Sequence, residues 1–427
     1  MIRQAKIVSA QEALSQVKSE DNIYIHAGAA NPEILVDALV ERAEELRNVK
    51  IYHLMTLGKA SYTKPEFAKS FKHISLFAGG NVREAINSGR AEHIPIFLSD
   101  IPYLFKNRII ELDVALIQVS PPDKHGWCSM GVGVECSKTA AEKAKLVIAQ
   151  VNKKMPRVHG DTFLHKTQFD FMVESDEELP ELPRLRMTEL DQKIAENIAP
   201  LISDGATLQL GIGKIPDAVL HFLEDKRDLG VHTEMFSDGV MELIQKGVIN
   251  CQKKTLHRGK VVSSFVIGSK ELYKFIHDNP FCEFRPSHYV NDPFVIRQNE
   301  NMISINCAIS ISLSGQVNSD SFGYNIFSGI GGQVDFVRGA SRAKNGKAII
   351  ALPSTAKKGT ISRIVMQLTE GAGVVTSRGD VHYIATEYGI VNLFGKSIRE
   401  RAKLLISIAH PDFRDKLIWE AKKLNFI

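Results

Sequence analysis

The sequence predicts an α/β fold built on mostly parallel sheets, and three observations carry that expectation. Short apolar runs alternate with amphipathic stretches along the 427 residues, the rhythm of strand–helix–strand units whose sheets are covered on both faces. A strand–turn–helix pattern near the N-terminus returns, loosely, in the second half of the chain. The composition, 44% hydrophobic and 24% charged, is that of a globular protein and not of a disordered, fibrous or coiled-coil one.

In chain order, IVSAQEALSQV (7–17) reads as a helix, NIYIHAG (22–28) as a strand, and PEILVDALVERAEEL (32–46) as a helix opened by Pro32. VKIYHLMT (49–56), HISLFAGG (73–80) and VALIQVSPP (114–122) read as further strands. Residues 174–192 are acidic, carry Pro180 and Pro183 and lack an apolar face. They read as a surface linker, so the expected division is an N-terminal α/β domain over 1–185 and a C-terminal one over 186–427. The basic run Lys253–Arg258 reads as a solvated loop.

The repeat supports two similar domains. DNIYIHAGAANPEIL (21–35) and DGATLQLGIGKIPDAVL (204–220) each pass from an acidic turn through a strand to a glycine, and then to a helix near a proline. A second strand follows each copy, and where the first copy has Leu54 the second has Glu234. Two such domains facing one another would leave a cleft between them, a natural ligand site.

Composition narrows the function. Lys+Arg 53 against Asp+Glu 49 gives +4, too near neutral for a nucleic-acid protein. No run approaches the ~18 apolar residues of a membrane span, and the first residues show no secretory apolar segment. The five cysteines are scattered, with no C-x-x-C pair, which argues against a disulfide scaffold or zinc knuckle. A soluble cytoplasmic protein is expected. H-E-x-x-H, G-x-S-x-G and the P-loop pattern are all absent, which disfavours zinc hydrolases, α/β-hydrolases and P-loop NTPases.

Ligands of open parallel sheets gather at the carboxyl ends of strands. Three features could sit there. Gly211-Ile212-Gly213-Lys214-Ile215-Pro216 could admit a phosphate or pantetheine close to the backbone, or be a plain tight turn. Glu234, in His232-Thr-Glu-Met-Phe-Ser-Asp238, could be a catalytic carboxylate or the cap of the next helix. It could also be a ribose-binding acid, since it lies 23 residues after Gly211, near the ~20 of a dinucleotide fingerprint. Ser328-Gly329-Ile-Gly331-Gly332 could surround an oxyanion with backbone N–H groups, or be a mobile loop.

SPPDKHGWCSMG (120–131), AQVNKKMPRVHGD (149–161), LQLGIGKIPDAV (208–219), GVHTEMFSDGV (230–240), SGIGGQVDFVRGA (328–340) and residues 385–414 carry a resemblance over nearly the whole chain. Together these segments resemble the acetyl-CoA hydrolase/transferase family, most closely its 4-hydroxybutyrate and butyrate:acetate CoA-transferases. The resemblance implies a class I CoA-transferase with Glu234 as the catalytic group. It places CoA contacts at Gly211, Ile212, Gly213, Lys214, Ile215, Ile309, Gly331, Gly332 and Lys357. His26 and Gln209, matched positions of the repeat, are expected beside the acyl carboxylate. No tightly bound cofactor is implied; coenzyme A and acyl-CoA are substrates, and a homodimer or larger homo-oligomer is expected. Two rival readings use the same residues: an acyl-CoA hydrolase acting through Glu234, and a NAD-dependent dehydrogenase that takes Gly211-x-Gly213 and Glu234 as its fingerprint.

Overall fold

The computed structural model describes residues 5–183, 186–211 and 213–427. Two parallel sheets organise it, as expected of an α/β chain. The first has eight strands in the spatial order Lys6–Ile7, Phe171–Ser175, Leu146–Asn152, Val114–Val119, Asn22–Ile25, Val49–His53, Phe71–Ser75 and Glu92–His93, every pair parallel. The second has six, Gly230–Val231, Thr207–Leu210, Met302–Cys307, Lys347–Ala351, Tyr383–Thr386 and Gly389–Asn392, and only its last pair is antiparallel. The central strands are mostly apolar; every residue of Val114–Val119, Gln118 included, is buried, as both faces of a covered parallel sheet require.

The repeat reappears as topology. Asn22–Ile25 lies between Val49–His53 and Val114–Val119, and Thr207–Leu210 lies between Gly230–Val231 and Met302–Cys307. Register refines the sequence comparison. Gly28 bridges Thr56, and continuing the Thr207–Gly230 and Leu208–Val231 pairing brings Glu234 level with Gly211. The counterpart of Glu234 is therefore Thr56, two residues beyond Leu54.

Two sequence expectations are corrected. The stretch 174–192 is not all linker, because Glu189–Ile198 is a helix. Its start is a reciprocal capping box: the Asp191 N–H donates to Thr188 Oγ1, and the Asp191 carboxylate accepts from the Thr188 N–H. That box supplies two of the partners a helix N-terminus lacks. The basic run 253–258 is not wholly solvated. Lys254 is buried, its ammonium donating to the carbonyls of Val231 and Lys260 at 2.8 Å, and burial lowers its pKa to about 8.

One apolar cluster joins Ile117 and Ala149 of the first sheet to Leu208 and Ile303 of the second. Short parallel pairing of His159–Gly160 with Glu283–Phe284 also ties the two halves of the chain. Gly160 is fixed by that contact: its φ is +110°, and a Cβ there would stand 2.2 Å from the Phe284 carbonyl oxygen. Among the described residues, no helix is long and apolar enough to cross a membrane.

Candidate active site

Glu234 stands where a strand leaves its sheet. Gly230–Val231 pairs with Thr207–Leu208 at the sheet edge, and three residues after His232 the chain pairs anew, Met235–Phe236 with Phe265–Val266. At the break the Glu234 side chain turns into the cavity it lines. Its neighbours hold the break in shape. Thr233 Oγ1 donates to the Met235 carbonyl at 2.9 Å. The Glu234 carbonyl accepts from the Ser264 and Phe265 N–H groups at 2.9 and 3.0 Å, and from the Ser263 hydroxyl at 3.0 Å. His232 is buried and neutral, its pKa pushed down to about 3 by burial, so its Nε2–H donates to the Val290 carbonyl at 2.8 Å. That bond fixes the residue before Asn291, whose Nδ2 donates to Glu234 Oε2 at 3.0 Å.

The Glu234 carboxylate rests against Gly332, the cap residue of helix Gln333–Arg342. A Cβ on Gly332 would lie 1.8 Å from Glu234 Oε2 and 2.2 Å from Asn291 Nδ2, so only glycine allows this approach. A ten-residue helix N-terminus carries partial positive charge, which favours an anion placed there. Burial acts the other way and raises the pKa of Glu234, with the Asn291 hydrogen bond opposing the rise. The outcome is a desolvated carboxylate with one side-chain donor.

The side chain lines a cavity of about 550 Å³, including its open mouth. The walls are the residues that follow the strand ends of the first sheet, Ala27–Ala29, Leu54–Met55 and Phe77, with Val132, Gly133 and Glu135, and from the second half of the chain Phe265, Val266 and Gly331. A neighbouring pocket, about 500 Å³ including its open mouth, brings together Gly211, Gly213, Met235 and Asp238. The glycine-rich turn and the residue after Glu234 therefore share one recess. Gly213, at φ +135°, precedes helix Lys214–His221, and this left-handed-side geometry suits glycine alone.

The remaining sequence-predicted residues are distributed more widely. Gly331 lines the Glu234 cavity. Lys214 is exposed on the first turn of its helix, whereas Ile215 packs into the core; Ile212 lies outside the described residues. Ile309 is half-buried, its N–H donating to the Asn318 carbonyl. Lys357 and Lys358 occupy an exposed turn between Thr355–Ala356 and Ile361–Ser362, with φ of +47° and +57°, away from the cavity walls. His26 is buried with both nitrogens engaged by backbone: Nδ1 accepts from the Gln118 N–H at 3.2 Å and Nε2 meets the Gly133 carbonyl at 2.9 Å. No ring nitrogen is left for an acyl carboxylate; the ring instead supports the Gly133 wall. Gln209 is closed on Asn306 by a reciprocal pair of amide bonds, 3.2 and 3.1 Å, and braces two strands.

Three residues without a sequence motif join the site. Asn291 is found only through its contact. Glu135 lies four residues beyond the matched segment ending at Gly131. Asp335 belongs to the glycine-rich segment but has no spacing that marks it. It is buried, accepts from the Ser99 N–H at 3.2 Å and the Ser99 hydroxyl at 2.9 Å, and is raised to about 8 by burial and by the charge of Glu234, against the two Ser99 bonds.

That shift has a measurable consequence. An unfolded Asp loses its proton near pH 4, whereas folded Asp335 keeps it to about pH 8. The folded state binds more protons between those values, so this contribution is full below pH 4 and is lost as pH rises through 8. In Asp335→Asn, thermal unfolding midpoints measured from pH 5 to 9 should fall less steeply than in the parent protein. An unchanged slope would contradict this account.

The comparisons with known proteins agree with the geometry. Residues 3–182 match the acetyl-CoA hydrolase/transferase N-terminal domain and 268–421 its C-terminal domain. The chain belongs to the acetyl-CoA hydrolase/transferase family. Over 99% of its length it is 51% identical to 4-hydroxybutyrate coenzyme A transferase of Clostridium kluyveri, covering 98% of that protein. Over 95% it is 46% identical to a succinyl-CoA:acetate/propanoyl-CoA:succinate CoA transferase of Fasciola hepatica, covering 85% of it. The crystal structure of RipA from Yersinia pestis superposes with a TM-score of 0.95 at 39% identity, covering 99% of this chain and 98% of that one. This family member is an enzyme with CoA-transferase activity. The nicotinamide-dehydrogenase reading of Gly211-x-Gly213 and Glu234 falls with that assignment.

Proposed function

We propose that this enzyme moves CoA between a short-chain acyl-CoA, acetyl-CoA foremost, and a carboxylate such as 4-hydroxybutyrate or butyrate, with Glu234 as the nucleophile. The observation that carries this reading is a glutamate desolvated in a largely apolar cavity, held by Asn291 and pressed against Gly332 at a helix N-terminus. A carboxylate is charged at neutral pH without a general base, and removal from water strengthens it as a nucleophile.

Glu234 attacks the thioester carbonyl, forming an acyl-glutamyl anhydride and releasing CoA thiolate. The thiolate then attacks the glutamyl carbonyl, giving a glutamyl-CoA thioester and the free acid. The incoming carboxylate attacks that thioester, releasing CoA thiolate again and forming a new anhydride. Thiolate attack at its acyl carbonyl yields the new acyl-CoA and restores Glu234. One thioester replaces another, so no external energy source is needed, and the shared intermediate dictates ping-pong kinetics. Backbone N–H groups at Gly331 and Gly332 are assigned to the oxyanion. A donor of this kind is typically worth ~2.7–4 kcal/mol.

The CoA arm is assigned to the recess of Gly211 and Gly213 with Ile212, Lys214 and the main chain of Ile215, and to Ile309 and Lys357. Binding energy gained along that arm can be realised at the reacting carbon. Two domains dividing near 185, a homo-oligomeric assembly and a cytoplasmic setting complete the proposal. The mainly apolar cavity favours transfer over hydrolysis, because water is displaced from the thioester when the acyl chain enters.

The test is chemical trapping. The protein is incubated with acetyl-CoA, reduced with borohydride, digested, and mapped by mass spectrometry. A glutamyl-CoA thioester is reduced to an alcohol, so the peptide holding residues 232–238 should lose mass at Glu234 in step with lost activity. An unmodified Glu234 in protein that still consumes acetyl-CoA would overturn the covalent route. Release of free CoA without a carboxylate acceptor would identify a hydrolase.

A further inference from the structure

Glu135 lines the same cavity as Glu234, and no step of the exchange uses it. It is 2% exposed. Its Oε1 accepts from the Ser137 hydroxyl, and Ser137 has only that one proton to give. The Tyr24 hydroxyl, 2.9 Å from Ser137 Oγ, is therefore the donor in that contact. The relay from Tyr24 through Ser137 fixes Oε1 as an acceptor. The other oxygen, Oε2, is buried without a hydrogen-bond partner. Gly133 leaves room beside it, since a Cβ there would stand 2.8 Å from Oε2. Burial raises the Glu135 carboxyl to about 7, and a proton on it belongs on Oε2, the oxygen that accepts nothing.

Resting on the CoA-transferase reading, we propose that Glu135 Oε2 pairs with a hydroxyl on the acyl chain, so that the cavity prefers hydroxyacyl groups to alkyl groups of the same length. The other walls are mostly apolar, Leu54, Met55, Phe77 and Val132 among them. An alkyl chain in the cavity leaves Oε2 unpaired, a cost that a hydroxyl removes because it can either donate or accept. A second carboxylate on the acyl chain is a poorer match. Among the described residues lining the cavity none is Lys or Arg, and Glu234 and Glu135 are already there, so the added charge would be buried without a counter-ion.

The experiment compares 4-hydroxybutanoyl-CoA with pentanoyl-CoA, which differ by a terminal hydroxyl against a methyl group, using acetate as acceptor. The readout is the ratio of their kcat/KM values in the parent protein, Glu135→Gln, Glu135→Leu and Glu135→Met. The parent ratio should favour the hydroxyacyl substrate about tenfold or more. Glu135→Gln, which keeps a donor, should hold most of that ratio; Glu135→Leu and Glu135→Met should abolish or invert it. Glu135→Met, unbranched and similar in length, serves if the leucine variant does not fold. A parent ratio near one, or a ratio unchanged in the folded apolar variants, overturns the role of Glu135. A parent protein that transfers no CoA from acetyl-CoA to any carboxylate overturns the transferase reading instead.

Discussion

Glu234→Gln should lose at least about 10³-fold in CoA transfer, some 4 kcal/mol of barrier. The substitution keeps the size of the side chain and an amide oxygen that can still accept from Asn291 Nδ2. The bonds from Ser263, Ser264 and Phe265 go to the backbone carbonyl of residue 234, so the broken strand is unaffected. What disappears is the charge that attacks the thioester, and with it both covalent intermediates. Stability should hold or rise, because a carboxylate that burial destabilises as an anion is replaced by a neutral group. Steady-state transfer assays with acetyl-CoA and butyrate, alongside thermal unfolding, check both halves. Retention of more than a tenth of the parent rate in a well-folded variant would remove Glu234 from the chemistry.

Much of this arrangement was legible in the sequence, for identifiable reasons. Apolar runs located the central strands, because a sheet buried on both faces favours mostly apolar strands; Val114–Val119, buried throughout with Gln118 its one polar residue, is the plain case. The glycines at 211, 331 and 332 stood out because each sits where backbone comes close to a neighbour, and Gly213 because its φ of +135° suits no other residue. For Gly332 that neighbour is the Glu234 carboxylate itself. The matched position of the repeat failed by two residues, since register is set by hydrogen bonding between strands and loop lengths hide it. His26 and Gln209 misled for a related reason. Polar residues at the end of a strand suggest a ligand, but here their partners are the backbone around Gly133 and the amide of Asn306, contacts made across long sequence separations. Asn291 and Glu135 were invisible to spacing because Asn291 meets Glu234, and Glu135 meets its cavity, from elements far along the chain from Glu234.

Gly332→Ala is the sharper test of how that carboxylate is held. A methyl group at this position would fall 1.8 Å from Glu234 Oε2 and 2.2 Å from Asn291 Nδ2, distances no side chain tolerates, so carboxylate and amide must both move. The backbone itself does not forbid alanine: Gly332 has φ −96°, ordinary for any residue, and the helix that begins at Gln333 can still form. The expected result is a folded protein whose kcat falls about 10²-fold or more, since a shift of ~1 Å in a reacting group costs that much. The loss should reach every acyl-CoA alike, because it moves the nucleophile and not the walls of the acyl cavity. Substrates of different chain length should keep their relative kcat/KM values. Stability should change modestly by comparison, giving a large activity loss at a nearly unchanged unfolding midpoint. Near-parent activity in Gly332→Ala would mean that the carboxylate works from a position other than the one between Asn291 and the start of this helix. A collapse of stability in step with activity would mean that the close approach serves the fold before it serves the chemistry.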